Sequence, residues 1–93
     1  MVLIMNKDES FAKIEIESFK RHNRDWRDGM SASHIVAKVI SHAAKLITEG
    51  DLDKDDGIPH WHKILWYNMA WDELRATGKL LDDRPTDGGN GGK

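Results

Sequence analysis

Between Asp51 and Asn68 the chain reads Asp-Leu-Asp-Lys-Asp-Asp-Gly-Ile-Pro-His-Trp-His-Lys-Ile-Leu-Trp-Tyr-Asn. Four aspartates, a Gly, a Pro and two histidines follow one another almost without interruption. Carboxylates and imidazoles are the side chains that bind hard and borderline divalent cations. Another imidazole, His42, stands upstream in a segment with helical periodicity. If that segment and the one after Pro59 fold back on each other, His42, Asp51, Asp53 and His60 converge as metal ligands or acid/base groups. A divalent ion held there (Mg, Mn or Zn) would polarise a phosphoryl oxygen or lower the pKa of a bound water. The blander alternative makes His42 a satisfied histidine on an apolar face, and the aspartates a solvated turn that caps the next helix. The stretch is no EF-hand, because the Asp/Asn positions and the closing Glu of that loop are missing.

A second cluster sets Lys20, Arg21, Arg24 and Arg27 around Trp26, with His22 among them. Arg forks suit phosphate oxygens, and a Trp face can stack on a base. Arg24, Trp26 and Arg27 are therefore candidate nucleotide-binding residues. The alternative is a solvated basic loop with Trp26 packed in the core, and Asp25 and Asp28 dilute its field. Trp61, Trp66 and Trp71 recur every five residues, which turns each by about 140° round a helix axis. They cannot form one stacking ladder and suit core and interface roles instead. The chain has no Gly-rich phosphate loop, no Gly-x-Ser-x-Gly elbow and no cysteine nucleophile.

Three helices must position these groups. Asp8 to Lys20 reads as the first, capped by Asp8 or Ser10, although Ile14-Glu15-Ile16-Glu17 alternates as a strand would. Arg21 to Met30 is a polar connection broken at Gly29. Ser31 or Ser33 then caps a second helix that runs to Glu49. Ile35, Val39, His42 and Leu46 share one stripe of it, and Val36, Ile40, Ala43 and Ile47 flank that stripe. His34, Lys38, Ser41 and Lys45 form its solvated side, and Gly50 follows as a stop. Pro59 opens a third helix that reaches about Thr77, with Gly78 ending it. That helix is apolar on nearly every side, so two short partners cannot cover it and a homo-oligomer is expected. Residues 82–93 contain no apolar side chain and read as a disordered tail, leaving 1–81 as a single helical domain.

Composition narrows the function classes. With 93 residues and no cysteine, the chain relies on dense packing, a metal ion or self-association, and disulfides and thiolate metal sites are excluded. A net charge of −2 gives no general attraction to nucleic acid or an anionic membrane. Met1 to Met5 is too short for the apolar core of a signal peptide, and no stretch approaches the ~20 apolar residues of a membrane span. A soluble, cytoplasmic protein with no membrane partner is expected.

From Asp25 to Leu74 the chain resembles a small helical family common in bacteriophage genomes, the dATP/dGTP diphosphohydrolase N-terminal-domain family. Asp25-Trp26-Arg27-Asp28-Gly29-Met30 is similar to that family's Asn-Trp-x-x-Gly-Met element, and Ser33 to its following Ser. His42 falls where the family's helix histidine falls, with Ser41 in place of Arg. Glu49-Gly50-Asp51-Leu52-Asp53 resembles the acidic element with Gly and Glu transposed. Gly57-Ile58-Pro59-His60 resembles Gly-Leu-Pro-His, and Trp66 and Asn68 resemble the closing Trp-Asn pair. Two departures stand out: Lys63 occupies the position of the family's second third-helix histidine, with His62 beside it, and the Arg next to His42 is absent. The resemblance implies metal-dependent cleavage of a purine deoxynucleoside triphosphate to monophosphate and pyrophosphate. The departures favour an alternative, a non-enzymatic phage protein that sequesters a nucleotide or inhibits a host defence protein through its Trp-rich surface. The expected architecture is all-α: a short N-terminal helix and two longer antiparallel helices, assembled as an oligomer.

Overall fold

A computed structural model describes residues 4–85. Helix α1 spans Lys7–His22, α2 Ala32–Thr48 and α3 His60–Thr77. A single 3-10 turn at Trp26–Asp28 lies between α1 and α2. Two short strands, β1 (Met30–Ser31) and β2 (Leu80–Leu81), pair in parallel, Met30 with Leu80 and Ser31 with Leu81. The mostly helical expectation holds. The strands add a clasp that hydropathy did not signal, each being two residues long.

Local chemistry explains where each helix begins. Asn6, rather than Asp8 or Ser10, caps α1 through a reciprocal capping box: its side chain accepts from the Glu9 amide at 2.9 Å, and the Asn6 amide donates to Glu9 Oε1 at 3.2 Å. Ser31 caps α2 by accepting from the His34 amide. Asp83, which follows β2 in the stretch read as tail, adds to that cap by accepting from the Ser33 amide and hydroxyl. Pro59 occupies the cap of α3, and Gly78 closes that helix in the left-handed region at φ 74°. Residues 86–93, the rest of the expected tail, lie outside the described residues.

The core lies where α1, the 3-10 turn and α2 meet α3. Ile14, Trp26, Ile35, Ile58, Trp66, Tyr67, Ala70 and Leu74 are buried together. Trp26 and Trp66 meet edge to face with ring centroids 5.2 Å apart. The second half of α2 carries His42 to His60 at the start of α3, while Val36 and Val39 share a groove with Asn68 and Trp71 further along α3. The all-round apolar pattern of α3 is thus largely covered within one chain. The apolar side chains left in solvent lie mainly elsewhere: Val36, Ile40 and Ile47 on α2 and Ile16 and Phe19 on α1, with Trp61 the exposed tryptophan of α3.

Gly29, just before β1, lies close to the backbone that leads from α3 into β2. Its φ of +140° is outside the range of L side chains, and a Cβ there would meet the Lys79 carbonyl at 3.2 Å.

Candidate functional site

The loop from Gly50 to Pro59 folds on itself before α3 begins. The Asp53 amide donates to the Ile58 carbonyl at 3.0 Å, and the Gly57 amide to the Asp53 carbonyl at 2.8 Å. Asp53 Oδ1 accepts from the Asp55 amide, and Asp56 Oδ1 from the Ile58 amide. These local Asx bonds satisfy the backbone and aim Asp53 inward, where it is 5% exposed. The His60 amide donates to the Asp51 carbonyl at 2.8 Å, which docks the first turn of α3 on the loop.

Three of the four sequence candidates converge. His42 Nδ1 lies 2.9 Å from His60 Nδ1, and His60 Nδ1 lies 3.9 Å from Asp53 Oδ2. Ligand atoms of His42, Asp53 and His60 all fall within 4.8 Å of one another, and all three residues are buried. Asp51 does not join them: it contributes its backbone carbonyl, and its side chain is exposed.

Two further residues complete the arrangement. Glu49 Oε1 accepts from His60 Nε2 at 3.0 Å. A carboxylate only accepts, so His60 Nε2 carries a proton toward Glu49, and the ring is held with Nδ1 facing His42. A carboxylate behind an imidazole in this way is the usual support of a metal-ligating histidine. Lys63 Nζ donates to Asp53 Oδ2 at 2.8 Å and to Asp56 Oδ2 at 2.7 Å. Lys63 is therefore a half-buried cation clamped between two carboxylates.

Charge states follow from these contacts. Burial, with the Lys63 ammonium and His60 adding to it, lowers His42 from 6.5 to about 4, so its ring is neutral at pH 7. Burial pushes the Asp53 carboxyl up, but the Lys63 ammonium, the Asp55 amide and His60 outweigh it and hold the group at about 2. Burial likewise works against the Lys63 charge, and its two aspartate partners overcome it and raise its pKa. The hydrogen bond from His60 lowers Glu49.

These residues fit a divalent ion. Two imidazole nitrogens bound at 2.0–2.1 Å to a tetrahedral centre would sit about 3.3 Å apart. That is a few tenths of an ångström more than the 2.9 Å seen between His42 and His60. The Asp53 oxygen lies 3.9 Å from His60 Nδ1 and the group as a whole spans 4.8 Å, so closing on one ion needs an inward shift of Asp53 of about an ångström. Two nitrogens and one oxygen suit Zn or Mn better than Mg, which prefers an all-oxygen shell. Three protein ligands also leave a coordination position open.

A cavity of about 300 Å³ lined by His42 opens between α1, α2 and the acidic loop. Its wall is divided by charge. Asp53, Asp55 and Asp56 line the loop side with Lys63 between them and α3, and Arg21, Lys38 and Lys45 line the helical side together with one acid, Glu17. Among the described residues, none of those three cations is in an ion pair. Sequence reading assigned Lys38 and Lys45 to the solvated face of α2. Their spacing around His42 (four residues before it, three after) was the available signal, since i−4 and i+3 share a helix face with it.

The other proposed group lies apart. Trp26 is 6% exposed and packs on Trp66, so its ring is not open for stacking on a base. Arg27 lies 4.7 Å over that ring and pairs with Asp25 and Glu15, and Arg24 donates to the Gly29 carbonyl. Of the basic cluster around Trp26, Arg21 is the member that reaches the imidazole cavity. Ser10 and His62 also meet, Oγ to Nδ1 at 2.6 Å, but Ser10 is fully buried and the contact ties α1 to α3.

Compared with protein-family models, curated proteins and solved structures, the chain matches none of them.

Proposed function

We propose that this protein holds a divalent metal ion, Zn or Mn, on His42, Asp53 and His60, and acts there on the phosphates of a purine deoxynucleoside triphosphate. The observation that carries the reading is the convergence of two imidazole Nδ1 atoms and a buried carboxylate beside a cavity lined by three unpaired cations. The ion would supply Lewis acidity toward a phosphoryl oxygen or a bound water. Glu49 orients the His60 ring, and Lys63 keeps Asp53 ionised. Arg21, Lys38 and Lys45 would neutralise and orient the phosphate chain, in place of the expected Arg24 and Arg27. On this reading α2 and α3 form the antiparallel hairpin that closes the site, and the nucleotide class comes from the resemblance to the phage diphosphohydrolase domains.

The test is incubation of the metal-free protein with dGTP or dATP and added Zn, Mn or Mg, with pyrophosphate as the readout. Hydrolysis of the bond between the α and β phosphates, lost in His42→Ala and Asp53→Ala, is the expected result. No metal uptake by calorimetry and no pyrophosphate would overturn it. One observation favours a second reading, binding without cleavage: the Lys63 ammonium already bridges Asp53 and Asp56, so the acids are satisfied with no ion. Nucleotide binding that is indifferent to metal would decide for that alternative.

A further inference from the structure

The outer face of α2 has no charged side chain. Val36, Ile40, Ala43 and Ile47 run along it at spacings of four, three and four, with Ala37 and Ala44 beside them. All six are exposed, Ile40 at 63% and Ile47 at 88%. In a chain that is 32% charged, such a face is unusual for a surface in water. Residues 86–93, outside the described residues, contain no apolar side chain to offer it. The stripe from Val36 to Ile47 is about 16 Å long.

We infer that this face is a two-fold interface with a second copy of the same chain, the two α2 helices lying antiparallel. The stripe is its own complement under that operation. A two-fold axis midway between Ile40 and Ala43 sets the large Ile40 against the small Ala43 of the other copy, and Val36 against Ile47. The structure holds both a knob and a hole for the outer contact. Ile47 projects into solvent, and a groove of about 280 Å³ lined by Ile35, Val36, Val39, Asn68 and Trp71 lies at the other end of the stripe. The symmetry seats both knobs at once, as an isologous contact requires. Ala37 and Ala44 let the helices approach closely. Each copy offers one helix face some 25 Å long and about 10 Å wide, an outline on the order of 250 Å², which suits a weak, reversible contact rather than an obligate one. Lys38, Ser41 and Lys45 lie on the opposite side of α2, so the metal cavity stays open in the dimer.

The experiment is sedimentation of the full chain at concentrations up to roughly 100 µM, with a dissociation constant in the micromolar range expected for so small an interface. Ile47→Glu and Ile40→Glu each raise that constant at least tenfold while the circular dichroism of the chain is unchanged. Because the chain has no cysteine, Val36→Cys/Ile47→Cys reports the geometry on its own: oxidation links Cys at 36 of one copy to Cys at 47 of the other. A wild-type chain that stays at 10.6 kDa throughout overturns the inference. So does a dimer indifferent to both Glu variants, or cross-links of 36 to 36 and 47 to 47.

Discussion

The half-buried Lys63 ammonium and the metal proposed for His42, Asp53 and His60 compete for the Asp53 carboxylate. Removing the lysine leaves Asp53 and Asp56 without their counter-ion, and breaking a buried pair on one side costs about 3 kcal/mol. Lys63→Met is therefore expected to lower the melting temperature of the metal-free protein and to gain more from added Zn than the wild type does. Equal metal-induced shifts in the two proteins would refute the competition. His42 supplies a pH dependence. Its folded-state value of about 4 lies below the ordinary 6.5, so between those values the unfolded chain holds a proton that the folded chain does not. Stability of the metal-free protein is then full above 6.5 and declines as the pH falls toward 4. Asp53, at about 2 against an ordinary 3.8, contributes above 3.8 and adds a second loss as the pH falls through 2. Urea midpoints taken at several pH values should show the first decline, and His42→Leu should flatten it. At this scale His42, Asp53 and His60 were legible as residue types that bind cations. Glu49 and Lys63 were read only as matches to, or departures from, a motif, because a supporting hydrogen bond across eleven residues leaves no local pattern.

Helix boundaries are set by caps, and their energies are separable. Asn6→Ala removes the capping box of α1 and should cost about 1 kcal/mol in chemical denaturation. Gly29→Ala is expected to cost more, about 2 kcal/mol, since it meets both a forbidden φ and the Lys79 carbonyl. Gly57→Ala, with φ +75° and open space around its Cβ position, should cost about 1 kcal/mol. Equal losses for the two glycines would remove the steric argument for the clasp. Periodicity placed α2 and α3 to within a residue or two at either end, because Ser31, Pro59 and Gly78 act locally. The β1–β2 pairing could not be read in the same way. It joins residues fifty apart through two-residue strands, too short for any alternation to register.

For the whole molecule, the decisive packing is Trp26 on Trp66, with Tyr67, Ala70 and Leu74 of α3 around them. Trp66→Ala should cost about 3–5 kcal/mol, a large share of what so small a domain has in total. Trp61→Ala, at an exposed ring, should stay within about 0.5 kcal/mol. Tryptophan fluorescence and urea unfolding distinguish the two. Sequence alone ranked these side chains as equals, since an all-round apolar helix does not say which of its sides a neighbour will take.

What the chain determined locally was its helical content, the helix ends and the supply of imidazoles and carboxylates, because periodicity, capping and residue chemistry act over a few positions. Which groups meet was settled only by folding. His42 reaches His60 because the loop after Glu49 turns the chain back, and Trp26 goes into the core because α3 offers it Trp66. Lys38 and Lys45 turn from a solvent face into a cavity wall because α1 crosses beside them. Burial and convergence depend on contacts between distant segments, and no window along the sequence contains them.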